Sequence, residues 1–282
     1  MKKQQQSWTE IIDSKSNILD FKLKILSEYK DLLIMFVKRD FAATYKQTIL
    51  GPIWFFIQPL LTTIMFTVVF GKFANLKTDI EPKFLFYLSG ITIWNFFQDC
   101  LLKTATVFKD NSQLFGKVFF PRLIVPLSIV ISSFLKFLVQ FFLFLVLICY
   151  YTNQNKIHPS IEVLYLPILI TIMSGMALGV GLIITSLTTK YRDLSFLISF
   201  AVQLLMYASP IIYSSNTISP SFKKYILLNP LTGIIENFRN SFLGIASINF
   251  SSLMYSCFAM CVLILLGLMM FNKVEEKFID TV

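Results

Sequence analysis

Six stretches of mostly apolar residues divide this chain, at about Pro52–Phe70, Phe84–Leu102, Leu123–Tyr150, Val163–Leu187, Leu194–Tyr213 and Leu253–Phe271. A helix needs about 20 such residues to cross the hydrocarbon core of a bilayer. With 55% of its 282 residues apolar and 15% charged, the chain has more apolar surface than a soluble globule of this size can hide; about 25% charged residues is usual. The expected fold is therefore an all-α integral membrane protein with six transmembrane helices. The third and fourth stretches are long enough to tilt, and Asn95, Gln98 and Asp99 interrupt the second.

Charge sets the expected orientation. Seventeen Lys and Arg lie in the N-terminal fifty residues, in 103–122, in 189–193 and after Phe271, against seven in the alternate segments. The more basic side of a membrane protein faces the cytoplasm, so both termini are expected inside. The net charge of +9 then reports topology, not nucleic-acid binding. No removable signal segment or lipidation box is expected at either end.

Two further segments are apolar without being long enough to cross. In 29–49, Leu33, Phe36, Val37, Phe41 and Tyr45 recur every three or four positions among Lys30, Asp31, Lys38, Arg39, Asp40 and Lys46. That pattern reads as an amphipathic helix in the inner interface, although a helix packed on a partner carries the same signature. In 214–249, Ser219-Pro220 and Asn229-Pro230 each read as a cap followed by a first-turn proline. Two short helices there suggest a re-entrant hairpin dipping from the outside, tolerated only where protein or water shields its backbone.

Polar residues inside the spans fall in rows at four-residue steps: Trp54, Gln58, Thr62, Phe66 and Phe70; Ser128, Ser132, Lys136 and Gln140; Ser195, Ser199, Gln203 and Tyr207. Each step advances a helix by about 400°, so the rows slant by about 40° per step. Such rows mark packed faces or faces lining water. Gly175-x-x-x-Gly179, with Ser174 and Gly181 nearby, reads as a close-approach face. Lys136 is the one cation within a span, and three partners stay open for it: Asp99, a lipid phosphate, or water reached by snorkelling. Among 44 aromatic residues, Trp54, Tyr87, Trp94 and Tyr207 combine a ring with a polar handle near polar neighbours. Rings of this kind suit stacking on sugar faces.

The chemistry that is missing narrows the function. One histidine and four cysteines leave little for a zinc site, a histidine-based triad or a disulfide framework; the cysteines read as small buried hydrophobes. No phosphate-cradling G-x-x-x-x-G-K-[ST] loop is present. The carboxylates Asp79 and Glu81 fall on the outer side, away from cytoplasmic sugar nucleotides. Powered transport would thus draw its energy from a partner.

Several runs resemble one family. They are Lys38-Arg39-Asp40, Tyr45 through Trp54, Gln58-Pro59-Leu60, Trp94-Asn95-Phe96-Phe97, Lys117 through Leu123, Tyr191-Arg192-Asp193, Ser209 through Tyr213 and Leu228 through Thr232. Their order and spacing resemble ABC-2 type polysaccharide exporter permeases from about residue 30 onward. The resemblance implies a permease subunit for lipid-linked O-antigen, capsule or teichoic acid in a bacterial cytoplasmic membrane. It implies two permeases paired with two separate ATPase subunits, which carry the ATP and magnesium; no cofactor or metal falls to this chain. Residues 1–50 would form a cytoplasmic segment with the interfacial helix, and 51–282 the six-helix domain.

By the same resemblance, the first and fifth spans face a conduit lined by Trp54, Gln58, Thr62, Phe66, Phe70, Tyr87, Trp94, Ser199, Gln203 and Tyr207. The ATPase would engage Lys109, Lys117, Phe119, Phe120, Pro121, Arg122, Tyr191, Arg192 and Asp193. Lys38, Arg39 and Lys46 would attract the pyrophosphate of the lipid anchor, unless they serve only topology. The competing expectations are an ABC-2 permease for a drug or another lipid, a channel or structural protein needing no ATPase, and a membrane transferase.

Overall fold

The computed structural model describes residues 28–45, 51–118, 120–191 and 193–279; Lys46, Phe119 and Arg192, singled out above, lie outside them. The described residues are mostly helical, with no strand among them. In chain order the helices are α1 (Lys30–Tyr45), α2 (Trp54–Phe66), α3 (Lys83–Ala105), α4 (Val107–Asp110), α5 (Ser112–Phe115), α6 (Ile124–Asn153), α7 (Leu166–Lys190), α8 (Leu194–Tyr207), α9 (Pro220–Leu228), α10 (Pro230–Leu243) and α11 (Phe250–Ile279).

Four segments are long and apolar enough to cross a membrane, by length and composition: Trp54–Phe73, Ile124–Asn153, Ile161–Lys190 and Phe250–Glu275. The first is α2 continued by a wide π-type turn through Phe73, and the third is α7 with the 3-10 turn before it. α3 has the length but carries the polar residues noted above. α8 has 14 residues and stops six short of its expected end. The reason is local: Ser209 precedes Pro210, a position that disfavours helix, and Ser209 Oγ donates back to the Leu205 carbonyl at 2.8 Å.

α3 is the central post. Leu85 through Trp94 are buried without a break, and the helix packs against α2, α6, α7, α8 and α10. Three hydroxyls on these helices donate to their own backbone: Thr92 to the Leu88 carbonyl, Ser128 to Val125 and Ser186 to Leu182. Polar side chains of this kind sit in a bundle at little cost.

Small residues set how closely the helices approach. A Cβ at Gly179 would lie 2.7 Å from the Leu263 carbonyl carbon, so α7 and α11 touch backbone to backbone there. Gly181 turns to another neighbour, where a Cβ would lie 2.6 Å from the Thr104 side chain of α3. The single glycine face expected from the sequence is thus two faces of α7, one towards α11 and one towards α3.

The cysteines correct an expectation: Cys100 is buried, but Cys149, Cys257 and Cys261 are exposed on the outsides of α6 and α11. Periodicity marks a face as apolar without saying whether protein or lipid covers it. Gly179→Leu is expected to force α7 from α11 and destabilise the fold by about 1–3 kcal/mol, the cost of overpacking a tight contact. Thermal unfolding of the detergent-solubilised protein measures it.

Candidate functional site

Three surfaces gather the residues singled out by sequence. The first is the pair of rows on α2 and α8. Trp54 is 48% exposed and Gln58 is exposed, whereas Phe66 turns edge-on to Tyr87 at 6.3 Å. The α2 row therefore winds from an open face onto α3, as its slant requires. On α8, Ser199 and Gln203 are exposed and Tyr207 is 48% exposed, flanked by exposed Phe196 and Phe200. No hydrogen bond or ring contact among the described residues joins Trp54, Gln58 or Thr62 to Ser199, Gln203 or Tyr207. Within one chain the two rows are separate open faces.

Tyr87 and Trp94 are placed differently: both are fully buried in α3, Trp94 donating through Nε1 to Gln98 Oε1 at 3.0 Å. Their rings belong to the interior of the chain. The α6 row also faces inward. Ser133 Oγ and Lys136 Nζ reach Asp99 Oδ2 at 2.8 and 3.3 Å, and Asn95 Nδ2 reaches Gln140 Oε1 at 3.4 Å. Asp99 is thus the partner of Lys136, among the three left open.

The second surface is the aromatic cluster at the α3–α6 connection. Phe36 and Val37 of α1 are buried, Phe36 lying 5.7 Å from the Phe120 ring, so the inner face of α1 packs on α6. Its other side exposes Ile34 and Met35. Phe108 stacks on Phe271 of α11 at 4.8 Å and 24°. Phe108 N donates to Thr185 Oγ1, and Thr188 Oγ1 to the Ala105 carbonyl. Ala105, Phe108 and Phe120 thereby fasten this connection to α1, α7 and α11 together.

The residues expected at an ATPase contact divide here. Lys109, Lys117, Tyr191 and Asp193 are exposed, and Pro121 is half-buried. Lys109 Nζ sits 5.9 Å over the Phe196 ring, bringing the segment beside the start of α8, while Asp193 Oδ1 caps that helix at Leu194 N. Phe120 and Arg122 point inward. Arg122 Nη1 donates to the Glu275 carbonyl at 3.2 Å, and Arg122 N to Glu275 Oε1 at 3.4 Å. Burial lowers the Arg122 guanidinium from its ordinary value, against the pull of the Glu275 charge, yet it stays protonated at neutral pH. Of the basic residues on α1, Lys38 is exposed, while Arg39 pairs with Asp40 at 2.8 Å and lies over the Phe36 ring.

The third surface is the α9–α10 pair. Asn229 Oδ1 accepts from Leu231 N at 3.0 Å, the expected cap; Ser219 makes no such bond, so α9 starts on Pro220 alone. α10 is buried almost all round, whereas α9 has no buried residue. The anchor is Arg239, which sequence reasoning passed over. Its guanidinium lies 3.7 Å over the Phe86 ring, and it donates to Ser89 Oγ and the Ile211 carbonyl at 3.4 and 3.3 Å. Gly90 makes the room, since a Cβ there would meet Arg239 Nη2 at 2.9 Å. Glu236 and Arg239, three positions apart in an apolar helix, were the available signal.

Residues 31–243 match the ABC-2 type transporter family. The chain belongs to that family. Among its curated relatives, an O-antigen export system permease protein, RfbA, of Klebsiella pneumoniae is 28% identical over 252 residues, 89% of this chain and 94% of the relative. RfbA of Myxococcus xanthus is 26% identical, covering 77% of this chain and 82% of its own. The capsule polysaccharide export inner-membrane protein CtrC of Neisseria meningitidis serogroup A is 20% identical, covering 87% and 92%. In this ABC-2 chain, Arg122→Gln is expected to loosen the joint between the α3–α6 connection and α11 by about 1.5–3 kcal/mol, the worth of charged hydrogen bonds. Faster amide exchange at 120–125 and 271–275 measures it.

Proposed function

We propose that this chain is the permease subunit of an ABC exporter moving lipid-linked polysaccharide of O-antigen or capsule type across a bacterial cytoplasmic membrane. The names of its relatives support the substrate class, since they align with it along nearly their whole length. The observation that carries the mechanism is the open row Ser199, Gln203 and Tyr207 on α8. These polar groups stand uncovered on an apolar helix, which is stable in a bilayer only against water or a partner. In this reading two copies associate so that the α2 and α8 rows face one conduit. The glycan's hydroxyls meet Gln58, Thr62 and Gln203, and its apolar ring faces meet Trp54 and Tyr207.

The proposed topology has six spans, α2, α3, α6, α7, α8 with the turn after it, and α11, with both termini cytoplasmic. α8 rises about 21 Å, so residues beyond Tyr207 complete that crossing. α9 and α10 form a hairpin entering from the outside: α10 is the buried limb and α9 the exposed one, tied down by Thr232 Oγ1 on the Ile226 carbonyl and Tyr255 Oη on the Leu228 carbonyl. Residues 1–50 form the cytoplasmic segment and 51–282 the membrane domain. The chain binds no nucleotide. Two copies of a separate ATPase dock on Lys109, Lys117, Tyr191 and Asp193, while Lys38 and Arg39 lie near the inner headgroups.

Closure of the ATPase pair would push the α3–α6 connection. Because that segment is fastened to α1, α7 and α11, the push would reach several helices as one body. Arg122 then acts as a link to α11, not as an ATPase contact. The relatives favour a polymer over a drug or another lipid.

Gln203→Leu with Tyr207→Leu is expected to cut surface glycan several-fold while the permease still co-purifies with its ATPase; unchanged glycan contradicts the conduit assignment. Lys109→Glu is expected to weaken ATPase co-purification without lowering permease yield, since the side chain is exposed.

A further inference from the structure

Where α3, α6 and the first turn of α2 meet, two lysines share one acid. Asp99 Oδ1 is 2.9 Å from Lys103 Nζ, and Asp99 Oδ2 is 3.3 Å from Lys136 Nζ. Ser133 Oγ donates to the same Oδ2 at 2.8 Å. Three donors thus occupy the carboxylate, and among the described residues no second acid pairs with either lysine. The nearby amides bring no charge: Gln98 Oε1 accepts from Trp94, and Asn95 pairs with Gln140. The cluster therefore keeps one positive charge in excess. Two ammonium groups carry six N–H between them, more than one carboxylate can accept.

The placement makes that excess matter. The Lys136 side chain is only 11% exposed, with its Nζ 5.8 Å from the Phe55 ring at the start of α2. Uncompensated charge in such surroundings costs several kcal/mol. The Lys103 side chain, 41% exposed, forms the open end of the cluster. Lys103 lies in the last turn of α3 and Phe55 in the first turn of α2, so the mouth of the cluster is at helix ends, while Asp99 and Lys136 lie deeper along α3 and α6.

We propose that Lys103 and Lys136, brought together on Asp99, bind the phosphate of an anionic lipid at the α2–α3–α6 seam. Lys136 forms the floor of the site and Lys103 its mouth. The chemistry is a phosphate oxygen accepting charge-assisted hydrogen bonds from both ammonium groups. A membrane phospholipid and a prenyl-linked diphosphate both carry that group. The site is separate from Lys38 and Arg39 on α1, and its inner-leaflet position rests on the topology proposed above.

The test is native mass spectrometry of the full-length chain in detergent, titrated with phosphatidylglycerol. Orientation and glycan export do not enter this measurement, so its failure is distinct from failure of the transport reading. Lys103→Gln is expected to weaken retention about fivefold, the worth of one basic residue at an anionic surface, and Lys103→Arg to restore it. Lys136→Gln should weaken it at least as much, with melting temperature confirming that each variant is folded. Competition identifies the source. A polyprenyl diphosphate that displaces phosphatidylglycerol well below equimolar concentration marks a substrate-anchor site, and one that does not marks a phospholipid site. Displacement by equimolar inorganic phosphate, or equal retention by the wild type and both glutamine variants, overturns the proposal.

Discussion

Enclosing α3 is the constraint on which the remaining packing depends. In hydrocarbon no apolar drive gathers helices together, so a helix carrying Asn95, Gln98, Asp99 and Lys103 must be surrounded by close contact and polar pairing. Both are present. Gly181 admits the Thr104 side chain, Gly90 admits Arg239, and the α6 row answers Asp99 and Asn95. With α3 wrapped on these sides, α2 and α8 are left at the edge with open faces. The burial of one helix thus determines which faces of α2 and α8 remain open.

The two apolar segments that do not cross divide the labour at opposite ends of the fold. At one end, α1 and the α3–α6 connection join α11 through Phe36, Phe120, Phe108 and Phe271, with Arg122 and Glu275 closing the joint. Rings packed this tightly transmit displacement better than they absorb it. At the other end, Arg239 and Asn229 hold α10 and the turn before it, while α9 stands clear of the core. A tightly packed joint at the first end suits a transporter whose energy arrives from outside the chain.

Much of this was legible in the sequence because lipid imposes length and polarity rules that hydropathy reads directly. The long helices and the amphipathic α1 follow from such rules, and the prolines that open α9 and α10 follow from their fixed φ and missing N–H. The rest depends on what covers a face, which one sequence does not state. Trp94 and Trp54 look alike in sequence, yet one is sealed inside α3's surroundings and the other stands open. Arg122 sits in a basic segment that reads as a docking surface, but its side chain turns inward because Glu275 and the Phe115 ring lie there. Arg239 was missed because an arginine buried in an apolar helix has no periodic signature. α8 ends before the apolar stretch does because Ser209-Pro210 lies inside that stretch.

The central claim is that the open faces of α2 and α8 border the path of the glycan. A photo-crosslinking side chain at Gln203, in permease and ATPase assembled in glycan-producing membranes, tests it most directly. The account predicts a ladder of glycan-shifted permease from Gln203, and none from the same group at Phe258 on the outside of α11. Crosslinks from Gln203 to phospholipid alone, with no glycan ladder, would contradict it.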